Sequence, residues 1–235
     1  MGTALQPPQL IVDARMVYLV WVPADPDSVA KLVPEALTPA ADRAVYLNQY
    51  VVDDDRQISN TGQEGAFGSY SITYLGADLA GLDATADIPG RWWIHYFNSS
   101  EPMRRYAKAH GVPVGEAAQT TLELDGGVMV ATTVIDGSPI IRTRCRTEVG
   151  TTQRATGQLR YITALDGQLM SGRYPFVANL AEHFEVLSVE FLEPSHPLYQ
   201  LRPADPLQIT FGFYSPAISF CYPGGEGPLG TALGA

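Results

Sequence analysis

Lysine is almost missing from this chain of 235 residues, which contains only Lys31 and Lys108. Charged residues make up 17% of the sequence, below the roughly one quarter of an ordinary soluble domain. The net charge of −10 leaves no basic stripe to neutralise phosphates, so we expect no binding to nucleic acid and repulsion from anionic membrane surfaces. The apolar share of 46% indicates large internal surfaces, an enclosed pocket or contacts in a homo-oligomer.

Cysteine and long apolar runs are equally scarce. Cys145 and Cys221 are far apart and lack metal-binding spacing, so we expect reduced thiols and no structural zinc. No apolar run reaches the roughly 18 residues of a membrane span, and the first residues lack the pattern of a signal peptide. We therefore expect a cytoplasmic protein.

The motifs of several enzyme classes are also missing. The sequence has no G-x-S-x-G elbow, no P-loop, no G-x-G-x-x-G after a strand and no H-E-x-x-H. Its four histidines, His95, His110, His183 and His196, are not paired at metal-ligand spacing on one element. The sequence therefore predicts neither a cofactor nor a metal ion.

Strand patterns dominate what is present. Apolar and β-branched runs predict about ten strands, beginning at residues 13–22, and short helices are predicted near 27–37 and 101–111. The prediction is a β-rich α+β fold in one domain over residues 1–235. Residues 1–10 are predicted as an extended arm and 225–235 as a flexible tail.

Alternation assigns side chains to strand faces. Three predicted strands each place a set of large or polar residues on one face. These sets are Tyr46, Asn48 and Tyr50; Tyr70, Ile72 and Tyr74; and Trp93, His95 and Phe97. They supply candidate pocket residues, and the polar loop NTGQEG at 60–65, which contains Glu64, is a candidate lid.

Several strings in shared order resemble the acetoacetate decarboxylase family. They are a strand carrying Arg15, the turn at 32–37 (LVPEAL), the strand GAFGSYSITYLG at 65–76, the block at 91–117 (RWWIHYFNSSEPMRRYAKAHGVPVGEA) and the hairpin TLELDGGVMVATT at 121–133. The resemblance implies a curved-sheet or β-barrel fold with a few short helices. It is firmest over residues 13–135.

The departures from that family concern its chemistry. In the family, a lysine pair after a proline forms and tunes a Schiff base with the ketone. Here Pro113 is followed by Val114 and Gly115, which form no imine. The positions of two family carboxylates correspond to Ile72 and Asn48. Of this catalytic set, the resemblance retains only Arg15.

The resulting hypothesis is a lysine-independent enzyme of specialised metabolism. It would bind a hydrophobic keto or polyketide-type molecule and catalyse cyclisation, cycloaddition, dehydration or isomerisation. Arg15 and Asn48 are cast as oxygen-binding groups and His95 as the proton carrier. Six residues are predicted to form the substrate-binding wall: Tyr46, Tyr70, Ile72, Tyr74, Trp93 and Val114.

Two alternatives stay open. The protein is a decarboxylase or tautomerase of a small β-keto acid, which predicts a small pocket with an essential acid or base. Otherwise it is a non-catalytic protein that binds a hydrophobic ligand.

Overall fold

The computed structural model describes residues 9–60, 67–81, 90–148, 150–222 and 227–229. Strands dominate these residues, which confirms the prediction of a β-rich α+β fold. The strands are β1 (Gln9–Trp21), β2 (Val45–Val52), β3 (Ile58–Asn60), β4 (Tyr70–Leu79), β5 (Gly90–Asn98), β6 (Val114–Ala117), β7 (Gln119–Asp125), β8 (Val128–Ile135), β9 (Ser138–Thr147), β10 (Thr152–Leu165), β11 (Gln168–Ala181), β12 (Phe184–Phe191), β13 (Ile209–Tyr222) and β14 (Gly227–Pro228). The helices are α1 (Pro26–Ala30), α2 (Glu101–Ala109) and two 3-10 helices, Asp55–Gln57 and Pro197–Leu201.

Seven strands close into a barrel. Their order is β10-β11-β13-β1-β2-β4-β5, and the ring closes where β10 pairs in parallel with the first half of β5. The short strand β6 takes the second half of that β5 edge, with Val114 opposite Tyr96. Closure pairs the strand edges and encloses an interior wide enough for side chains and a small ligand.

A second, four-stranded sheet packs against the outside of this barrel. Its order is β12-β9-β8-β7, and all its neighbours are antiparallel. Because side chains alternate along a strand, β1 sends Met16 and Tyr18 into the barrel and Val17 and Leu19 the other way. We call these two buried regions the barrel interior and the inter-sheet layer.

The largest gap in the predicted strands is β11, which follows β10 after a tight hairpin turn. Asp166 and Gly167 have φ values of 50° and 78°, as a type I′ turn requires, and they join β10 to β11. The sequence patterns predict only residues 157–165 as a strand in this region and miss β11. The turn between β7 and β8 is Gly126-Gly127, one residue later than the predicted Asp125-Gly126.

The ends of the described chain correct two predictions. Strand β1 begins at Gln9, so the predicted arm is wrong for residues 9 and 10. Strand β14 pairs with Met170 and Ser171 of β11, so the predicted tail is wrong for Gly227 and Pro228. A single domain over the whole chain stays a prediction, because several segments lie outside the described residues.

The helices are short. Helix α2 begins after its predicted cap, Ser100, and packs Met103 and Ala107 into the barrel interior, so it covers one end of the barrel. Helix α1 is shorter than predicted and is capped by Asp25. None of the helices in the described part of the chain is long and apolar enough to cross a membrane.

Candidate active site

A cavity of about 370 Å³ occupies the barrel interior. This volume lies within the range of small-molecule sites, roughly 300–1,000 Å³. Most of the lining side chains are aromatic or aliphatic. The lining residues are Met16, Tyr18, Asn48, Tyr74, Arg91, Gly157, Gln158, Leu159, Tyr174, Phe176, Phe211, Phe213, Ile218 and Phe220.

The cavity has an open and a closed end. Phe211 is 54% exposed, and Gly157 and Gln158 are also exposed, so these residues mark the mouth. Asn48, with 1% of its surface exposed, and Phe220 are buried at the inner end. A Cβ atom at Gly157 would lie 2.7 Å from the ring of Phe176, so the glycine allows this ring to lie across the wall.

Within the described part of the chain, Arg91 is the one cationic side chain that lines the cavity. Its Nε donates to the Tyr18 hydroxyl at 2.8 Å, and its Nη1 lies 3.1 Å from Asp78 Oδ1. Burial disfavours the guanidinium charge, but Tyr18 and Asp78 outweigh this effect and raise the pKa of Arg91. No hydrogen bond within the described residues uses Nη2, so two N–H donors remain for a ligand.

The contact with Arg91 prepares Tyr18 as a hydrogen-bond donor. The Tyr18 oxygen accepts from Arg91, and its O–H donates to no acceptor among the described residues. Burial raises the pKa of Tyr18, and the charge of Arg91 only partly offsets this rise, so the phenol stays protonated at neutral pH. The proton of Tyr18 is therefore available to an oxygen of a bound molecule.

Asp78 lies behind Arg91 and does not line the cavity. Burial raises the pKa of this carboxyl to about 6, although the charge of Arg91 acts in the opposite direction. Asp78 is therefore largely ionised at neutral pH and gains a proton in mild acid. Its titration changes how much of the Arg91 charge is neutralised.

Asn48 is a further polar residue of the cavity and lies at its inner end. Its Nδ2 donates to the Tyr74 hydroxyl at 2.8 Å and lies 3.4 Å from Met16 Sδ. Its Oδ1 is buried and accepts no hydrogen bond from any residue that the structure describes. Tyr18 and Tyr74 lie directly opposite Asn48 on the two neighbouring strands, so the three side chains form one row across the barrel wall.

Stacked aromatic rings fill the barrel between this cavity and helix α2. Trp93 stacks on Tyr74 with ring centroids 4.8 Å apart and lies 5.5 Å from Tyr161. Beyond them lies a void of about 20 Å³, which is lined by Trp93, Tyr161 and residues of α2. The cavity and the α2 end of the barrel are therefore separate.

The structure brings only two of the nine predicted site residues, Asn48 and Tyr74, to the cavity. Four others are buried in the barrel interior without lining the cavity: Tyr46, Tyr70, Ile72 and Trp93. Tyr46 supports the site from behind, since the Arg91 guanidinium lies 5.5 Å from its ring centre. Val114 lies beside Tyr96 at the α2 end, so the expectation that Ile72, Trp93 and Val114 share one cavity is wrong.

Arg15 does not face the cavity. It shares the face of β1 that holds Val17 and Leu19, which points to the inter-sheet layer. Its Nε and Nη2 each bond a carboxylate oxygen of Asp53 at 2.7 Å, and its Nη1 donates to the Leu122 carbonyl. The placement of Arg15 as an oxygen-binding group in the pocket is therefore wrong.

His95 also faces away from the cavity. A β-bulge between the pairs Leu75–His95 and Gly76–Trp93 inserts one residue, so Trp93 and His95 point to opposite sides. The predicted shared face is therefore wrong for Trp93, whereas the rings of His95 and Phe97 do stack on one face, with centroids 6.0 Å apart. Burial, aided by His196, lowers the pKa of His95 to about 4, so its ring is neutral at pH 7.

Two polar residues of the cavity, Arg91 and Tyr18, were not predicted as site residues from the sequence. Arg91 lies two positions before Trp93, and this spacing was a signal that both share a strand face. No local sequence pattern indicates that β10, β11 and β13 contribute walls to the cavity. Residues 61–65 of the predicted lid, with Glu64, lie outside the described residues.

Searches with family models and among curated proteins match nothing. The structure, however, is similar to solved structures over almost its whole length. MppR, an enduracididine biosynthesis enzyme, aligns with 96% of this chain and 88% of its own at a TM-score of 0.69 and 12% identity. Acetoacetate decarboxylase from Legionella pneumophila aligns with 100% and 92% at a TM-score of 0.68 and 13% identity.

A third structure extends the likeness to a further enzyme. An acetoacetate decarboxylase-like enzyme from Sphingomonas wittichii aligns with 97% of this chain and 95% of its own, at a TM-score of 0.59 and 14% identity. These identities are low, whereas the coverage is nearly complete and includes the closed barrel. The chain therefore has the fold of the acetoacetate decarboxylase-like enzymes.

Proposed function

We propose that this protein is an enzyme that binds an apolar, carbonyl-bearing small molecule in the barrel cavity and rearranges it without forming an imine. The observation that carries the proposal is the pairing of Arg91 with Tyr18 in an otherwise largely apolar cavity. A polyketide-type intermediate has the required combination of apolar surface and carbonyl oxygen. The named enzymes that share the fold support an enzymatic role.

The positions of the two lysines support an imine-free reaction. Lys31 and Lys108 are both exposed, and neither lines the cavity. Val114 and Gly115 occupy the place of the lysine pair in the resembling family. A Schiff base needs a lysine amine beside the bound ketone, and no cavity residue supplies one.

Tyr18 and Arg91 would act on the carbonyl oxygen. The Tyr18 O–H and the Arg91 Nη2 donors would stabilise negative charge as it develops on that oxygen. Asp78 and the Gly90 carbonyl hold the Arg91 guanidinium in place, and the guanidinium in turn bonds the Tyr18 oxygen, so little reorganisation is needed during the reaction. One donor of this kind is typically worth about 3 kcal/mol in the transition state.

The lining also narrows the reaction type. Among the described residues, no carboxylate, imidazole or amine lines the cavity, so these residues supply no base for removal of a proton from carbon. Carbonyl polarisation and confinement of a flexible chain remain, and both accelerate ring closure. Among cyclisation, cycloaddition, dehydration and isomerisation, this favours cyclisation or cycloaddition, in which all atoms of the substrate stay in the product.

The test is incubation with linear, conjugated β-keto compounds followed by mass spectrometry. We expect an isomeric product of unchanged mass from the wild type and about a hundredfold slower formation by Arg91→Lys, which lacks the planar fork. Arg15→Lys is the matched control and should react like the wild type. Borohydride added during turnover should leave Lys108 unmodified.

Three results would contradict the proposal. Loss of carbon dioxide would favour the decarboxylase alternative. Tight binding without any product would favour a ligand-binding protein. A borohydride-trapped adduct on Lys108 would restore imine chemistry.

A further inference from the structure

The buried Asn48 amide has a hydrogen-bond partner for its nitrogen but not for its oxygen within the described residues. Its Nδ2 donates to the Tyr74 hydroxyl, whereas its buried Oδ1 accepts no hydrogen bond from the described residues. Only 1% of the residue surface is exposed, and the side chain lines the inner end of the cavity. Buried polar atoms in native structures nearly always have a partner, so this oxygen points to a donor that arrives with a ligand.

The surroundings of Asn48 do not provide that donor. Met16 is a thioether without an N–H or O–H, and the Tyr74 hydroxyl, which accepts from Asn48 Nδ2, pairs with the Tyr174 hydroxyl at 3.1 Å. Ile218 and Phe220, which also line the cavity, are hydrocarbon. None of these neighbours donates a hydrogen bond to Asn48 Oδ1 within the described residues.

A hydrogen-bond donor lies on the neighbouring strand β1. Tyr18 is directly opposite Asn48 on β1, and its O–H is available within the described residues. Cross-strand partners have Cβ atoms about 5 Å apart. One small molecule can therefore span a donor at Tyr18 and Arg91 and an acceptor at Asn48.

From this pattern, and resting on the proposed function of the cavity, we infer the substrate class: a conjugated carbonyl compound that also carries a hydroxyl or enol O–H. The O–H donates to Asn48 Oδ1, and the carbonyl oxygen accepts from Tyr18 and Arg91. The flat conjugated part lies against the aromatic walls, where stacking favours it. Asn48 is then a specificity-determining residue that selects for a donor on the substrate.

The experiment measures binding by calorimetry with 2-naphthol and 2-methoxynaphthalene as probes. Both probes have an oxygen acceptor, but only the naphthol has a donor. We expect the wild type to bind naphthol at least about tenfold more tightly. The Asn48→Leu variant should bind both within about twofold, because the acceptor is gone. Arg15→Lys is the control and should keep the wild-type preference.

The outcomes separate this inference from the proposed function. Equal binding of the two probes by the wild type overturns the role of Asn48 and leaves the cavity as a ligand site. A naphthol preference that persists in Asn48→Leu also overturns it, because the methyl group of the ether is then excluded by shape. Failure of both probes to bind would contradict the cavity itself and the proposed function with it.

Discussion

Two neighbouring amides in β2 show how the barrel interior differs from the inter-sheet layer. Gln49 points into the layer, where its Nε2 donates to Thr133 at 3.0 Å and its Oε1 accepts from Thr143 at 2.8 Å. Asn48 points into the barrel, and its oxygen has no hydrogen-bond partner within the described part of the chain. Both residues are almost fully buried. In the inter-sheet layer both polar atoms of the amide are therefore bonded, whereas beside the cavity only the nitrogen is.

The same contrast holds for the rest of the layer. Thr73 bonds Thr120 at 2.8 Å and Thr133 at 2.6 Å, so hydroxyl groups from both sheets form a closed network. Such a network fixes the register of the small sheet on the barrel. The barrel interior instead combines aromatic walls with an unfilled volume.

Two arginines repeat the comparison. Arg15 is bonded on three nitrogens to Asp53 and the Leu122 carbonyl. Arg91 lines the cavity, and its Nη2 makes no hydrogen bond within the described residues. The geometry of the partners, and not the residue type, separates these two arginines.

The largest expected effect separates these two arginines. Arg91→Met should weaken binding of 2-naphthoate about a hundredfold, or about 2.7 kcal/mol, because it removes the cation that faces the ligand. Arg15→Met should bind within about threefold of the wild type. Calorimetry measures both, and thermal melting confirms that each variant is folded. Equal losses in the two variants would remove the distinction between them.

The next largest expected effect is a difference in the free energy of unfolding between variants at Gln49 and at Asn48. Gln49→Leu should lower the free energy of unfolding by about 2–3 kcal/mol, because it removes two buried hydrogen bonds and takes from the Thr143 hydroxyl the acceptor that it uses. Asn48→Leu should change it by less than about 1 kcal/mol, since one unsatisfied oxygen is removed together with one hydrogen bond. Urea unfolding with unchanged m-values gives the comparison. A larger loss for Asn48→Leu would show that Asn48 is structural.

A smaller effect concerns pH. The pKa of Asp78 is raised to about 6, so the carboxylate neutralises Arg91 above this pH and is protonated below it. Affinity for the anion 2-naphthoate should therefore rise severalfold between about pH 7.5 and about pH 5, as Arg91 loses its competing partner. Asp78→Asn should bind tightly and show no such rise. A pH profile in Asp78→Asn that matches the wild type would assign the titration to another group.

The smallest effect compares the two ends of the barrel. Val114→Phe should change 2-naphthoate affinity by less than about twofold, because Trp93, Tyr161 and their neighbours separate residue 114 from the cavity. Asn48→Phe, which fills the inner end, is the contrasting variant and should abolish binding. Loss of binding in a folded Val114→Phe protein would place the site at the α2 end.

Local patterns predicted the regular strands well. The period-two alternation correctly placed Tyr46 and Tyr50, and also Ile72 and Tyr74, on the faces that point into the barrel. The family resemblance correctly implied the barrel fold, because the order of strands and helices is a property of the whole chain. Strand alternation and the family resemblance together made Asn48 and Tyr74 site candidates.

The errors have two physical causes. A bulge shifts the phase of alternation, and neither its presence near His95 nor its position follows from the residues around it. The cavity walls also come from β10, β11 and β13, more than a hundred residues away from Tyr18 in the chain. Their meeting depends on barrel closure, which no local pattern encodes. The resemblance therefore indicated the right fold, whereas only Asn48 and Tyr74 of the predicted site residues line the cavity.

The most direct test of the account is a crystal structure of the protein with 2-naphthoate. The account predicts density for the rings against Phe213 and Ile218, with the carboxylate within about 3 Å of Arg91 Nη2 or the Tyr18 hydroxyl. Density beside Val114 and helix α2, with the cavity occupied only by water, would contradict it.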